Sequence, residues 1–184
     1  MIDRLDMINY FPKTILDLGC GTGLLSNLLR KKYDNAKIIS VDFSFDMLNA
    51  CKEKKLNTSL LCADIEDLPM KSMSFDLIIS NFTLHWCQNL QKILYNVQNC
   101  LSEKGIFFFS TLGPDSLNEI KEAFLKIDNI NPVNNFIDMH HYGDMLNELG
   151  FIDPVMDLEN ITLKFDDFFG AINSIRKIGA NVSI

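Results

Sequence analysis

Short apolar runs alternate with amphipathic stretches over about the first 112 residues, two periods that predict strands and helices in turn. Residues 14–18 (TILDL) are apolar and stop at Gly19; Leu24, Leu25, Leu28 and Leu29 then recur at helical spacing up to the basic run 30–32, where cations suit a helix C-terminus. Residues 37–41 (KIISV) are rich in β-branched side chains and end at Asp42, after which Met47, Leu48 and Cys51 return to helical spacing. A third strand is predicted over 59–62 followed by Ala63-Asp64, and a fourth over 75–80 that ends at Asn81. Leu90, Ile93, Leu94, Val97 and Leu101 mark one helix face, and Gly105 opens a last apolar strand, IFFFSTL. Near-continuous apolar strands separated by helices imply an α/β fold, a doubly wound and mostly parallel sheet with right-handed crossovers.

The C-terminal third is less regular. Residues 115–126 predict a helix whose apolar face is Leu117, Ile120, Phe124 and Ile127, followed by a loop over 129–135. Asp138 is placed to N-cap a helix through Leu149 that stops at Gly150. Residues 151–158 and 161–165 predict an antiparallel pair at the sheet edge, and 166–178 a final amphipathic helix. No repeat or Pro/Gly/Ser-rich linker divides the chain, so residues 1–184 are expected to form a single domain.

Composition narrows the function classes. With 47% hydrophobic and 22% charged residues, the chain has ample apolar material for one core and lies far from the disordered regime. Its 24 acidic against 17 basic side chains would repel a phosphate backbone, and the one dense basic cluster is Arg30-Lys31-Lys32, so no nucleic-acid partner is expected. No run approaches the roughly 20 apolar residues of a membrane span, and MIDRLDMINY lacks the regions of a signal peptide; a soluble, cytoplasmic protein with no membrane partner is expected. The five cysteines include no C-x-x-C pair and read as reduced thiols. Adjacent histidines such as His140 and His141 point in different directions on a helix, and no third strong ligand has suitable spacing, so no metal site is expected.

The most informative segment is Asp17-Leu18-Gly19-Cys20-Gly21-Thr22-Gly23, between the first strand and the first helix. Glycines there let the backbone turn sharply and approach a ligand, in the crevice beyond the strand carboxyl ends where open α/β sheets bind ligands. A nicotinamide dinucleotide is disfavoured, because the third glycine comes one residue early and Leu24 stands where that fingerprint has Gly or Ala. Asp17 would also repel a pyrophosphate but favour a cationic ammonium, which points to a zwitterionic, sulfonium-bearing ligand. Asp42, about 20 residues beyond the loop, is placed to accept ribose hydroxyls. Asp64 stands at the end of the third strand, where it either accepts from an adenine amino group, with Ile65 packed on the ring, or caps a short turn.

Together these residues resemble the class I S-adenosylmethionine-dependent methyltransferases, through DLGCGTG, VDFS with Met47, CADIEDLP and FDLIISNFTLHW in that order. The resemblance implies a Rossmann-like fold with S-adenosyl-L-methionine as cofactor. It further implies that Gly19, Cys20 and Gly21 lie along the methionine part, Asp42 on the ribose, Phe43 and Met47 against the adenine, Asp64 and Ile65 at its edge, and Asn81 under the sulfonium. Asp17 and Gly23 complete the cofactor set, and Cys20 needs no nucleophilic role.

Longer stretches are similar to the malonyl-acyl-carrier-protein O-methyltransferases of biotin synthesis: SNFTLHWCQNL, FSTLGPDSLNEIKEAF, NFIDMHHYGDMLNELGF, DPVMDLENITLKF and SIRKIGAN. The resemblance implies methylation of the free carboxylate of malonyl-acyl carrier protein, or of malonyl-CoA, early in pimeloyl synthesis. About 13 residues precede the first strand, so the N-terminal cover segment and the C-terminal tail of that family are expected to be missing. A malonyl carboxylate is ionised at neutral pH, so no catalytic base is required, and the chain would supply orientation in a dry pocket. Trp86 either lines that pocket or packs, and His85 either donates to a substrate oxygen or is an ordinary half-buried histidine. Arg176 either grips the carboxylate with its planar fork or complements a helix C-terminus. Two other readings stay open: a relative acting on a protein arginine in complex I assembly, and a cofactor-binding remnant without turnover.

Overall fold

A computed structural model describes residues 1–126 and 135–177, the last three as backbone only. The chain divides into two compact units, Met1–Thr111 with Asp144–Pro154, and Leu112–Gly143 with Val155–Ile184. The first unit is a five-stranded sheet in the order β3-β2-β1-β4-β5, with β1 Thr14–Leu18, β2 Lys37–Asp42, β3 Ser59–Cys62, β4 Phe75–Asn81 and β5 Leu101–Ser110. Every pairing is parallel. Consecutive strands move outward in opposite directions on the two sides of β1. Right-handed crossovers therefore put α2 (Leu24–Lys32) and α3 (Phe45–Glu53) on one face and α4 (Leu90–Cys100) on the other.

The period-2 alternation of the central strands divides the core. Ile15, Ile38, Leu77 and Ile79 turn toward Leu25 and Leu29 of α2, and Leu5 from a short N-terminal turn, α1 (Ile2–Leu5), joins them. Leu16, Leu18, Val41 and Ile78 alternate with these positions and are buried as well. At about 25 cal/mol per Å² this apolar burial is the main favourable term. The amino edge of the sheet is fastened by Asp76. Its Oδ2 accepts from the backbone N–H of Lys13 (2.8 Å) and Thr14 (3.0 Å), its Oδ1 from Ser102 Oγ (3.2 Å), and its carbonyl from the Tyr10 hydroxyl (2.9 Å).

Three expectations are corrected. Leu101 is not on the α4 face: the backbone turns extended there (φ −66°, ψ 138°), and β5 begins with no intervening loop. Phe75 pairs with Leu101 and Leu77 with Ile106, a slip that crowds Gly105, where a Cβ would lie 2.9 Å from Phe75 O. Helix α5 is shorter than predicted, Asn118–Leu125, because Leu117 takes the left-handed conformation (φ 60°) and cannot join it.

The antiparallel edge does not form, and the described sheet is wholly parallel. Residues 154–165 carry no strand, and Val155, Leu158, Ile161 and Leu163 are exposed. Their β-branched alternation supplies propensity, but a strand also needs a ladder partner and a buried face.

Two predicted caps are present. Asp138 Oδ1 accepts from His140 N (2.8 Å) at the start of α6 (Met139–Glu148). At its end Gly150 (φ 82°) donates to Asn147 O and Phe151 N to Leu146 O, a Schellman pair. Helix α7 spans Phe168–Lys177, and Asp167 Oδ1 accepts from Gly170 N in its first turn. Ile127, residues 129–134 and Ile178 lie outside the described residues. No helix among the described residues is long and apolar enough to cross a membrane.

Candidate active site

Because all five strands run the same way, their carboxyl ends share one edge. That edge gathers the glycine loop after β1, Asp42 at the end of β2 with Phe43 next to it, Asp64 and Ile65 after β3, and Asn81, His85 and Trp86 at and after β4. The strand order reverses between β1 and β4, which makes this edge a topological switch point, the usual ligand crevice of such sheets.

The loop is pinned from β2. Val41 O accepts from both Gly19 N (2.8 Å) and Cys20 N (2.9 Å), and Asp42 Oδ2 accepts from Gly21 N (2.7 Å). Ser44 N takes Asp42 Oδ1 (2.9 Å), so each carboxylate oxygen keeps lone-pair capacity for a further donor.

All three loop glycines have positive φ, and the space a Cβ would find differs among them. A Cβ on Gly19 would strike Thr83 Oγ1 at 2.2 Å, and one on Gly23 would meet Cys51 Sγ at 2.4 Å. At Gly21 a Cβ would meet nothing within 4 Å. The outer two glycines thus serve packing within the protein, while the middle one fronts open space.

Asp17 is fully buried, on the α2 face. Its Oδ2 accepts from Ser26 Oγ (2.5 Å), which lies 2.9 Å from Ser40 Oγ, and its Oδ1 has no hydrogen-bond partner. Burial pushes the carboxyl up to about 7; the Ser26 hydrogen bond opposes this and the charge of Asp42 adds to it. An unmatched buried carboxylate oxygen fits a cationic group better than an anionic one. Cys20 is buried, and desolvation followed by the charges of Asp17 and Asp42 raises its thiol, so it stays protonated.

The flanking positions are mixed. Phe43 (78%) and Met47 (42%) present exposed apolar surface after β2, with Ser44 Oγ accepting from Met47 N. Asp64 caps the 3-10 turn Ile65–Asp67 through Glu66 N (2.9 Å), so the capping alternative is realised and occupies one carboxylate oxygen; Ile65 is buried. Asn81 Oδ1 accepts from Ser110 Oγ (2.9 Å), which in turn accepts from Phe82 N. Trp86 is 37% exposed and its ring centroid lies 5.0 Å from that of His85. Burial lowers His85 to about 4, so it is neutral at physiological pH. Arg176 falls in the last turn of α7, and its side chain lies outside the described residues.

Four residues that shape the site were not singled out from the sequence. Ser26 donates to Asp17 and is itself paired with Ser40, Thr83 meets Gly19, and Glu66 accepts from Gln88 N and Asn89 N. A signal existed for Ser26, a polar residue between Leu25 and Leu29 on the apolar face of its helix.

A parallel sheet of this order, with a pinned glycine loop and a carboxylate ending β2, defines the class I methyltransferase architecture. The chain belongs to the family described as "Methyltransferase domain", which matches residues 16–109. It is 38% identical over 190 residues to the malonyl-[acyl-carrier protein] O-methyltransferase of Gallionella capsiferriformans (98% of this chain, 66% of that protein). It is also 38% identical over 192 residues to the protein of the same name from Laribacter hongkongensis (98% and 65%). The chain thus spans just under two thirds of the length of these curated relatives. Among solved structures, an S-adenosylmethionine-dependent methyltransferase from Clostridium acetobutylicum matches with 30% identity and a TM-score of 0.57, over 65% of this chain and 51% of that one.

Proposed function

We propose that this chain binds S-adenosylmethionine at the carboxyl ends of β1, β2 and β4. There it methylates the free carboxylate of malonyl-acyl carrier protein, in the pathway to biotin, with malonyl-CoA as the alternative carrier. The observation that carries the reading is the glycine loop. Its ends are closed against Thr83 and Cys51, its middle glycine opens outward, and Asp42 holds it with acceptor capacity to spare.

When bound, the cofactor supplies an electrophilic methyl group on a sulfonium. Asp42 would accept from the ribose hydroxyls and Asp17 Oδ1 would face the ammonium. Phe43 and Met47 would cover the adenine, with Asp64 and Ile65 at its edge. Gly19, Cys20, Gly21 and Gly23 would run along the methionine part and Asn81 would sit near the sulfonium. Trp86 and His85 would line the substrate side, where a neutral imidazole offers a donor without a competing charge. From the sequence, Arg176 remains the candidate for gripping a carboxylate or for complementing a helix C-terminus. A malonyl carboxylate is ionised at neutral pH. The protein's work is therefore orientation and exclusion of water, worth up to roughly 7–11 kcal/mol when alignment is good.

Calorimetric titration with S-adenosylmethionine, S-adenosylhomocysteine and NADH, on wild type and Asp42→Ala, tests the cofactor. Saturable binding of the adenosyl ligands, lost in the variant and absent with NADH, is the expected result; no adenosyl binding to wild type would overturn the reading. Mass spectrometry of malonyl-acyl carrier protein and malonyl-CoA after incubation then detects the added methyl and chooses the carrier.

A further inference from the structure

Two loops at the carboxyl edge belong to different parts of the chain yet share one side chain. The first, after β3, carries Asp64 and Ile65; the second, after β4, carries His85 and Trp86. Glu66 Oε1 accepts from Gln88 N at 2.8 Å and from Asn89 N at 3.1 Å, two and three residues beyond Trp86. Asp64 is tied to the same residue, because its Oδ1 accepts from Glu66 N. Asn96 Nδ2 donates to Glu66 O at 3.0 Å, and Lys92 Nζ lies 2.5 Å from Asp67 Oδ1, so α4 holds the 3-10 turn in place. The far end of the second loop is fixed separately by Phe82 N on Ser110 O.

We propose that Glu66 is a positioning residue that couples the loop bearing the cofactor-edge residues Asp64 and Ile65 to the loop bearing His85 and Trp86. The inference rests on the methyltransferase reading for its consequence, and on hydrogen-bond geometry for its premise. A carboxylate oxygen accepting two successive backbone N–H groups fixes where the chain leaves the 3-10 turn Leu84–Trp86. Contact at Asp64 and Ile65 bears on the turn that Glu66 occupies, and Glu66 passes the constraint to the substrate wall. Charge alone does not suffice. The side chain must reach 22 and 23 residues along the sequence to two adjacent N–H groups, which a carboxylate one methylene shorter cannot do.

The chain has one tryptophan, Trp86, on the loop in question, so its emission reports the loop directly. The test uses the full chain as wild type, Glu66→Gln, Glu66→Asp and Glu66→Ala. Without ligand, acrylamide quenching of Trp86 is expected to rise about twofold in Glu66→Ala and Glu66→Asp. In Glu66→Gln, whose amide oxygen still accepts, it is expected to stay near wild type. With S-adenosylhomocysteine, wild type and Glu66→Gln are expected to shift their emission. Glu66→Asp and Glu66→Ala are expected to bind within about threefold of wild type by calorimetry without that shift. In turnover with malonyl-acyl carrier protein the same two variants are expected to lose about 10- to 100-fold in kcat, the scale of a 1 Å misplacement.

Unchanged quenching in both Glu66→Asp and Glu66→Ala, or an intact emission shift in them, overturns the proposal. If Glu66→Ala fails to fold, Glu66→Asp carries the comparison. Absence of S-adenosylhomocysteine binding to wild type would count against the methyltransferase reading, and the ligand-free quenching would still decide whether Glu66 sets the loop.

Discussion

Gly21 and Asp42 are joined by a 2.7 Å hydrogen bond from backbone N–H to Oδ2, so the candidate ribose acceptor is also the peg that shapes the loop beside it. Asp42→Ala removes both contributions. A hydrogen bond to a charged group is worth about 1.5–3 kcal/mol, so affinity for S-adenosylmethionine is expected to fall at least about tenfold. Calorimetric titration measures it; an unchanged affinity would remove Asp42 from the site.

Gly19 and Gly21 should separate stability from binding. Gly19→Ala combines a left-handed backbone (φ 71°) with a Cβ 2.2 Å from Thr83 Oγ1 and is expected to cost roughly 2–5 kcal/mol in urea unfolding. Gly21→Ala carries only the backbone term, about 1–2 kcal/mol, because its Cβ enters open space. That methyl would instead occupy the ligand's side of the loop, so Gly21→Ala should fold and bind S-adenosylmethionine poorly. Wild-type affinity in Gly21→Ala would place the ligand elsewhere.

Asp17 should make stability fall as pH rises. Burial is the main reason its carboxyl titrates near 7, whereas the unfolded carboxyl titrates near 3.9. Between about pH 4 and 7 the folded chain therefore holds a proton that the unfolded chain has released. This contribution is full below pH 4 and lost as pH rises through 7, an effect on the order of a few kcal/mol. Urea unfolding at pH 5, 6, 7 and 8 should show this slope in wild type and a flatter one in Asp17→Asn. Identical slopes would exclude Asp17 as its source.

Asp76 has the opposite sign. Burial alone would raise its carboxyl, but hydrogen bonds from the Lys13 and Thr14 backbone and the Thr14 and Ser102 hydroxyls outweigh it and lower the pKa. Its contribution is present above the unfolded carboxyl value near 4 and lost as pH falls through the lower folded value. Asp76→Ala is expected to cost about 1–3 kcal/mol at pH 7, with a smaller difference from wild type in strong acid, read from unfolding curves at both pH values.

The strands and the cofactor loop were legible because their signals are local. TILDL, KIISV and FDLIIS are runs that only a sheet buried on both faces accommodates, and the glycines of 19–23 follow directly on the first of them. What escaped depends on partners far apart in sequence. Nothing near Glu66 announces that it reaches Gln88, and nothing near Thr83 that it lies against Gly19, 64 residues away. The edge pair over 151–165 failed for the converse reason: the alternation of Ile161, Leu163 and Phe165 is local, but pairing is not. Leu101 shows the limit of periodicity, since its position continues the α4 face while its backbone already belongs to β5.

The shared acceptor at Val41 has a kinetic consequence. Gly19 and Cys20 take their geometry from a carbonyl of the neighbouring strand, so the loop acquires its shape when β1 and β2 pair. Its conformational entropy is surrendered during folding, and little is left to lose when a ligand arrives. Association at this crevice should then run at the rate of encounter, with single-exponential kinetics linear in ligand concentration and no slow rearrangement behind them.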